Sequence, residues 1–408
     1  MPRQKKRGFS TRSLHTPTIP YLHPMTHTMP PYLTSTYAME SLQPPENPEF
    51  SFKYPRIATP NGVLLEHTLA SLEEGEAAVV TTDGMRAISL TLASVLKLCS
   101  EGLIVCTTPL YSDTYNHLTK DVANCGKKIY FLQANELPIN TFLNLLRAAP
   151  LPEILYIESP ANPTLSCYDI EILAHIAHRK NIPVIVDNTF ASPYNQRPLT
   201  LGADLVIQSL TKYCSGNGTT LGGAVIGSRK LIAPIRQRGQ REGGHLSPFS
   251  AWLIQQGLQT FKIRMETHNK NAMMLAKFLQ HKRNEEKIEA VHYPGLPSHP
   301  QHHIARAQMK TPYGKSGFGG MVSFELRKPE WVDPFAEHLA KKSFIELAVS
   351  LGSTSSTFSI PTRQIHASLP PNEREALGIR DTLVRFSVGI EDFADIKQAF
   401  IAAFRSLT

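Results

Sequence analysis

The stretch QSLTKYCSGNGTTLGG, Gln208 to Gly223, sets Lys212 directly after two hydroxyls, Ser209 and Thr211, and follows it with Gly216, Gly218, Gly222 and Gly223. A buried strand has no use for so many hydroxyls, and a plain turn has no use for so many glycines. A P-loop puts its lysine after the glycines, in GxxxxGK[ST], and opens a helix. Here the lysine comes first. A dinucleotide fingerprint reads GxGxxG and leads into a helix. Here the spacing is Gly216-x-Gly218-x-x-x-Gly222, and the strand-like GGAVIG follows. Order and context exclude both. The third reading is a lysine that acts as an amine and forms a Schiff base with the aldehyde of pyridoxal phosphate (PLP).

Such a site makes further demands. The phosphate dianion needs hydroxyls, backbone N–H groups at a helix start and an arginine. The pyridine nitrogen needs a buried carboxylate to stay protonated, and the ring needs an aromatic partner. Ser209 and Thr211 supply hydroxyls. Gly84 and Met85, in TTDGMRAIS, open a helix. Asp187 ends an apolar strand, where a carboxylate is otherwise costly. Tyr111 follows another strand at the same edge. Singly, Asp187 reads equally as a turn cap, Gly84 as an ordinary helix glycine and Tyr111 as a core or rim aromatic. It is their joint occurrence at successive strand ends that favours PLP.

The elements that must position these residues alternate. LIVCTTP (103–109), KIYFLQ (128–133), EILYIES (153–159), IPVIVDN (182–188), ADLVIQS (203–209) and GGAVIG (222–227) read as apolar strands. Helical spacing marks the segments from about residue 66, and residues 112–124, 141–149 and 169–181. Apolar strands separated by helices predict an α/β fold with a mostly parallel sheet covered on both faces, whose ligand binds beyond the carboxyl ends of the strands. Past residue 247 a long helical stretch begins at SPFSAWLIQQGL. MVSFEL (321–326) and LVRFSVG (383–389) are strands, and Phe393, Ile396, Phe400, Phe404 and Leu407 share one face of a last helix. This predicts an extended N-terminal arm over 1–50, a large PLP-binding domain over 51–247 and a smaller α+β domain over 248–408.

The bulk numbers agree with an enzyme. The chain has 408 residues, 41% hydrophobic and 19% charged, with a net charge of +8. Its lysines and arginines are scattered, which argues against nucleic acid and suits anionic small ligands. No apolar run approaches the roughly 18 residues of a membrane span, and the basic N-terminus has no apolar stretch behind it. Cys99, Cys106, Cys125, Cys167 and Cys214 are odd in number and lack a CxxC pair, which points to free thiols in a reducing, cytoplasmic setting. His299, His302 and His303 have no acidic or cysteine neighbour in sequence and read as a surface turn rather than a metal site.

The chain resembles the Cys/Met-metabolism PLP-dependent enzymes, the transsulfuration family, from GFSTRSLH (8–15) to the C-terminus. The most specific stretch is VDNTFASPYNQRPLTLGADLVIQSLTKYCSGNGTTLGGAVIGS (186–228). IESPANPT (157–164), GGHLSPFSAWLIQQGLQTFKIRMETHNKNA (243–272), VHYPGLPSHPQH (291–302) and HASLPPNEREALGIRDTLVRFSVGIED (366–392) also match. The resemblance implies the aspartate-aminotransferase-like fold of PLP enzymes (fold type I). It implies that Lys212 holds PLP and moves the α-proton, Asp187 pairs with the pyridinium and Tyr111 stacks on the ring. It places Gly84, Met85, Ser209 and Thr211 at the phosphate and Asn162 near the PLP hydroxyl. Arg385, helped by Ser350, takes the substrate α-carboxylate. Tyr54 and Arg56 look like the family's Tyr-x-Arg pair, which reaches the phosphate of a neighbouring subunit; a dimer is then the minimal unit and a tetramer the usual one.

Some positions depart from the family. Ser112 and Asp113 follow Tyr111 where two small residues, often glycines, are usual. Thr59-Pro60-Asn61 stands for Asn-Pro-Thr, Gly216-Asn217-Gly218-Thr219 for Gly-His-Ser-Asp, and Ser355 for an acidic residue tied to a substrate's distal amino group. The reading is therefore a carbon–sulfur lyase that eliminates at the β or γ carbon of cystathionine or a related thioether amino acid. Cystathionine γ-synthase and methionine γ-lyase are its alternatives, with a non-catalytic binding protein as the remote one.

Overall fold

The computed structural model describes residues 7–15, 28–39, 43, 52–97, 100–135, 137–281, 286–367 and 369–407. Seven strands form the larger sheet: β1 Ala77–Thr81, β2 Gly102–Thr108, β3 Lys127–Gln133, β4 Pro152–Glu158, β5 Val184–Asp187, β6 Leu205–Ser209 and β7 Gly223–Gly227. Their order is β1-β7-β6-β5-β4-β2-β3. The run from β3 to β6 is parallel, and β7 lies antiparallel to both β6 and β1.

The apolar strands predicted from sequence are two-sided because both faces are covered. Ile104, Cys106, Ile154, Tyr156, Ile185 and Ile207 pack on one face with Ala87, Ile88 and Leu90 of the helix Gly84–Val95. Val105, Leu155, Ile157, Val184 and Val186 pack on the other with Phe142, Tyr168 and Leu173. Alternate residues of one strand thus enter different cores.

A second sheet follows: β8 Ile288–His292, β9 Met321–Leu326, β10 Glu346–Leu347, β11 Thr357–Ser359 and β12 Leu383–Ser387, in the order β10-β11-β12-β9-β8. The last helix, Phe393–Arg405, lays Phe400 against Phe324, Phe335 and Phe386. The face predicted from its spacing is the buried one.

Several expectations need correction. Much of residues 1–50, expected as an extended arm, lies outside the described residues, as does Cys99. Within that span Phe9–Leu14 is a short helix whose Phe9 is buried against Tyr194 and Phe261. The helix expected from residue 66 begins at Pro60. Thr59 caps it by accepting from the Gly62 N–H at 3.0 Å, and Pro60 sits in the first turn, where its missing N–H costs nothing. Asn61 then exchanges hydrogen bonds with the backbone of Tyr32 and Pro30 at 2.9 and 3.0 Å. The Thr-Pro-Asn departure is thus a helix start that pins an N-terminal segment. Residues 112–124 divide into an α-helix, Ser112–Asn116, and a wider π turn, His117–Val122. The long stretch after 247 is two helices, Pro248–Gln259 and Phe261–Leu279, broken at Thr260. His299 is buried rather than on a surface turn.

The glycines after Lys212 have steric reasons. Gly216 lies at φ +70°, and a Cβ there would sit 2.1 Å from the Arg264 guanidinium. A Cβ on Gly223 would lie 2.0 Å from the Asp83 carbonyl oxygen, at the start of the helix Gly84–Val95. Gly223→Ala should therefore push that helix start away from β7. A loss of about 1–3 kcal/mol is expected, read from urea unfolding followed by circular dichroism.

Candidate active site

The carboxyl ends of the parallel strands meet at one cavity of about 370 Å³. Strand register sets its floor: Glu158 is the partner of Asp187, and Asp187 is the partner of Ile207. Lys212 follows β6, in a loop that Thr211 closes. The Thr211 hydroxyl accepts from the Gly222 N–H at 3.1 Å and donates to the Gly222 carbonyl at 3.2 Å.

Gly84, Met85, Tyr111, Asn162, Asp187, Ser209, Thr211, Lys212, Ser350 and Arg385 all line the cavity. Tyr54 and Arg56 do not. Tyr54 is exposed, the Arg56 guanidinium stacks on its ring at 5.5 Å, and Arg56 donates to the Gln240 carbonyl. Ser355 is exposed and lies outside the lining.

Lys212 Nζ donates to Ser350 Oγ at 3.0 Å. Burial, with Arg385 nearby, pushes its amine down to about 8. Arg385 is buried on β12. Its Nε donates to Ser359 Oγ at 3.1 Å and Nη1 to Asn162 Oδ1 at 3.2 Å. Nη2 donates to the carbonyls of Val349 and Ser350 at 2.5 and 3.2 Å. None of these partners is a carboxylate, so the guanidinium keeps its charge available to an anionic ligand. Burial lowers its pKa to about 10.

Asp187 accepts from the Thr189 N–H at 3.0 Å. Burial raises its carboxyl, against that hydrogen bond. Glu158 accepts from the backbone N–H groups of Tyr111 and Asn162 at 2.9 and 2.8 Å. Burial, helped by the Asp187 charge, pushes Glu158 up to about 8. Sequence reasoning missed Glu158, although it ends an apolar strand just as Asp187 does. It also missed Arg264, a buried residue that donates to the Tyr213 and Gly257 carbonyls at 2.7 Å each. The Tyr213 carbonyl is a backbone oxygen 51 residues away in the chain, which no side-chain pattern marks.

These residues fit PLP. A helix start with Gly84 and Met85 next to Ser209 and Thr211 suits a phosphate, and Gly84 lacks the Cβ that would sit 2.9 Å from Ser209 Cβ. Asp187 is a buried carboxylate at the cavity, raised by burial, and a protonated pyridine nitrogen suits such a group.

The sequence pattern of the Cys/Met metabolism PLP-dependent enzymes matches residues 11–405. The chain belongs to that family. It is 40% identical to an L-methionine γ-lyase of Fusobacterium nucleatum subsp. polymorphum, over 96% of each chain. It is 37% identical to a cystathionine γ-lyase of Bacillus subtilis (strain 168), over 90% of this chain and 91% of that one. The structure of a cystathionine γ-synthase from Xanthomonas oryzae pv. oryzae in complex with cystathionine superposes with a TM-score of 0.89. Its identity is 30%, and the match covers 98% of this chain and 99% of that one. PLP dependence and the two-sheet α/β architecture are thus family properties of this chain. Among the described residues no helix is long and apolar enough to cross a membrane.

The buried carboxyls make stability depend on pH. A carboxyl raised in the folded state contributes stability that is present at low pH and lost as pH rises through its folded pKa. Glu73 and Glu158 are pushed up to about 7 and about 8, both chiefly by burial. His268, His299 and His366, pushed down to about 4 by burial, act in the opposite sense only below the ordinary histidine range. Lys212 acts in that sense only above about 8. The cofactor-free protein should therefore lose unfolding free energy as pH rises from about 6.5 to 8. Glu158→Gln should reduce that slope, as measured by urea denaturation across the window.

Proposed function

We propose that the chain is a PLP-dependent carbon–sulfur lyase that eliminates the γ-substituent of methionine or a similar thioether amino acid with an apolar distal end. The observation that carries this choice over cystathionine is the set of carboxylates lining the cavity. Asp83 is engaged in capping a helix, Glu158 holds two backbone N–H groups, and Asp187, which accepts from the Thr189 N–H, is assigned to the cofactor nitrogen. Among the described residues that line the cavity, this leaves no carboxylate for a distal ammonium. The lining also includes the apolar Val349, Leu351 and Ile365, from the same part of the chain as Ser350 or from between β11 and β12. The methionine γ-lyase relative, at 40% identity, supports the same reading.

Lys212 Nζ is assigned to hold PLP and to carry the α-proton, since an amine pushed down to about 8 is partly neutral near pH 7. Bound PLP supplies an electron sink for the electrons released at Cα. Asp187 keeps the ring nitrogen protonated, and Tyr111 covers one ring face. Gly84, Met85, Ser209 and Thr211 bind the phosphate, with Asn162 beside the ring hydroxyl. Arg385 and Ser350 orient the substrate carboxylate. Tyr54 and Arg56, turned away from their own cavity, are assigned to the phosphate of a second subunit in at least a dimer, and a tetramer of two dimers extends that arrangement. Cys106, Cys125, Cys167 and Cys214 are free thiols, which supports a reducing cytoplasmic location.

The purified enzyme should release 2-oxobutanoate, ammonia and methanethiol from methionine, with kcat/KM at least about tenfold above that for cystathionine. The reverse order of substrates would refute this choice. Lys212→Ala should abolish both turnover and the visible absorbance of lysine-bound cofactor. Arg385→Lys, which keeps the charge but loses the fork, should raise KM for every amino-acid substrate by about tenfold or more. Mixed dimers of Lys212→Ala and Arg56→Ala subunits should regain activity that neither variant has alone, as measured after co-refolding.

A further inference from the structure

The departure after Tyr111 has a structural partner. Tyr111 stands at the N-cap position of the helix Ser112–Asn116, and Asp113 lies in its first turn. The phenol lines the cavity and donates to Asp113 Oδ2 at 2.8 Å, while the Asp113 side chain faces solvent. The backbone on either side is held as well. The Tyr111 N–H donates to Glu158 Oε2 at 2.9 Å, and His366 Nε2 donates to the Leu110 carbonyl at 3.3 Å. His366 therefore carries its proton on Nε2. Its other ring nitrogen is buried without a hydrogen-bond partner, and burial keeps the ring neutral.

Charged and titratable groups approach the phenol from several elements. Glu158 ends β4, Arg385 comes from β12, Lys212 follows β6, His366 lies between β11 and β12, and Asp113 is on the tyrosine's own helix. Only Asp113 is in hydrogen-bond contact with the hydroxyl among the described residues.

We propose that Asp113 is a positioning residue for Tyr111: its carboxylate takes the phenol's hydrogen bond, fixes the ring at the cavity wall and keeps the hydroxyl a donor. Tyr111 then does not compete with Lys212 for the α-proton. Burial and the Asp113 charge act together to hold the phenol well above the usual tyrosine range, with Arg385 opposing them. The kinetic consequence rests on the lyase reading, but the hydrogen bond and its effect on the phenol do not.

The test uses 3-fluorotyrosine-labelled protein without cofactor or substrate, with the Tyr111 signal assigned by its loss in Tyr111→Phe. Fluorine NMR then follows ionisation of this one phenol. Asp113→Asn keeps the shape and removes the charge, so the Tyr111 resonance should titrate about one pH unit lower. Asp113→Glu, which keeps the charge, should titrate close to wild type. In the holoenzyme the basic limb of the kcat/KM profile should move down with the fluorine titration in Asp113→Asn and return in Asp113→Glu. Coincident fluorine titrations for wild type and Asp113→Asn would overturn the proposal. So would an unmoved titration with KM raised only for substrates that carry a distal ammonium, since Asp113 would then recognise substrate. A shifted titration in a protein that eliminates from no thioether would sustain the Asp113 assignment while removing the lyase reading.

Discussion

Two carboxylates side by side at the ends of neighbouring parallel strands are the constraint around which this molecule is arranged. Glu158 and Asp187 are register partners, both buried, and among the described residues neither is in a salt bridge. A pair of like charges in such a place is unfavourable unless one is neutral or a cation arrives. Glu158 is answered from within, by two backbone N–H groups from the segments that carry Tyr111 and Asn162. Asp187 accepts from its own turn, at the Thr189 N–H. The parallel sheet thus holds one carboxylate that organises the walls beside another that lines the cavity.

The walls come from different parts of the chain. The larger sheet provides Lys212, Asp187, Tyr111 and the helix start at Gly84, whereas Arg385 and Ser350 belong to the smaller domain. Arg385 sits on β12, where Ser359 and Ser323 are its register partners. Its fork reaches across to Asn162 of the larger domain. The guanidinium of the smaller sheet and the Asn162 amide are therefore joined by a direct hydrogen bond across the cavity wall.

Much of this is legible in the sequence. Six of the seven strands of the larger sheet fall where their apolar runs place them, because a sheet covered on both faces demands such runs; the short β1, Ala77–Thr81, lies between two helical patterns and is not marked by a strand pattern of its own. Asp187 stood out because an acid at the end of an apolar strand is costly. Glu158 carries the same signal, and only its less familiar neighbourhood hid it. Pairing was harder to read. The Thr211–Gly222 clasp, the Arg264 bonds to backbone oxygens and the antiparallel course of β7 depend on contacts distant in sequence, which periodicity does not encode. The split of residues 112–124 into α and π turns was likewise invisible, since both keep the apolar side chains on one side. Tyr54 and Arg56 show the limit of a single chain: their types are plain in the sequence, but they do not line their own cavity.

The loop that carries Lys212 is tied just before its glycine run and again at the first glycine. Arg264 anchors the Tyr213 carbonyl, and the Gly216 carbonyl receives the N–H of Thr354 at 3.0 Å. Lys212 itself reaches Ser350. Thr354 and Ser350 both belong to the stretch between β10 and β11, so the smaller sheet grips this loop at the amine and again beyond it. Any rotation of one sheet against the other must therefore drag the amine relative to Asp187. The lysine is a gauge of interdomain angle as well as a chemical group, and whatever sets that angle sets its reach.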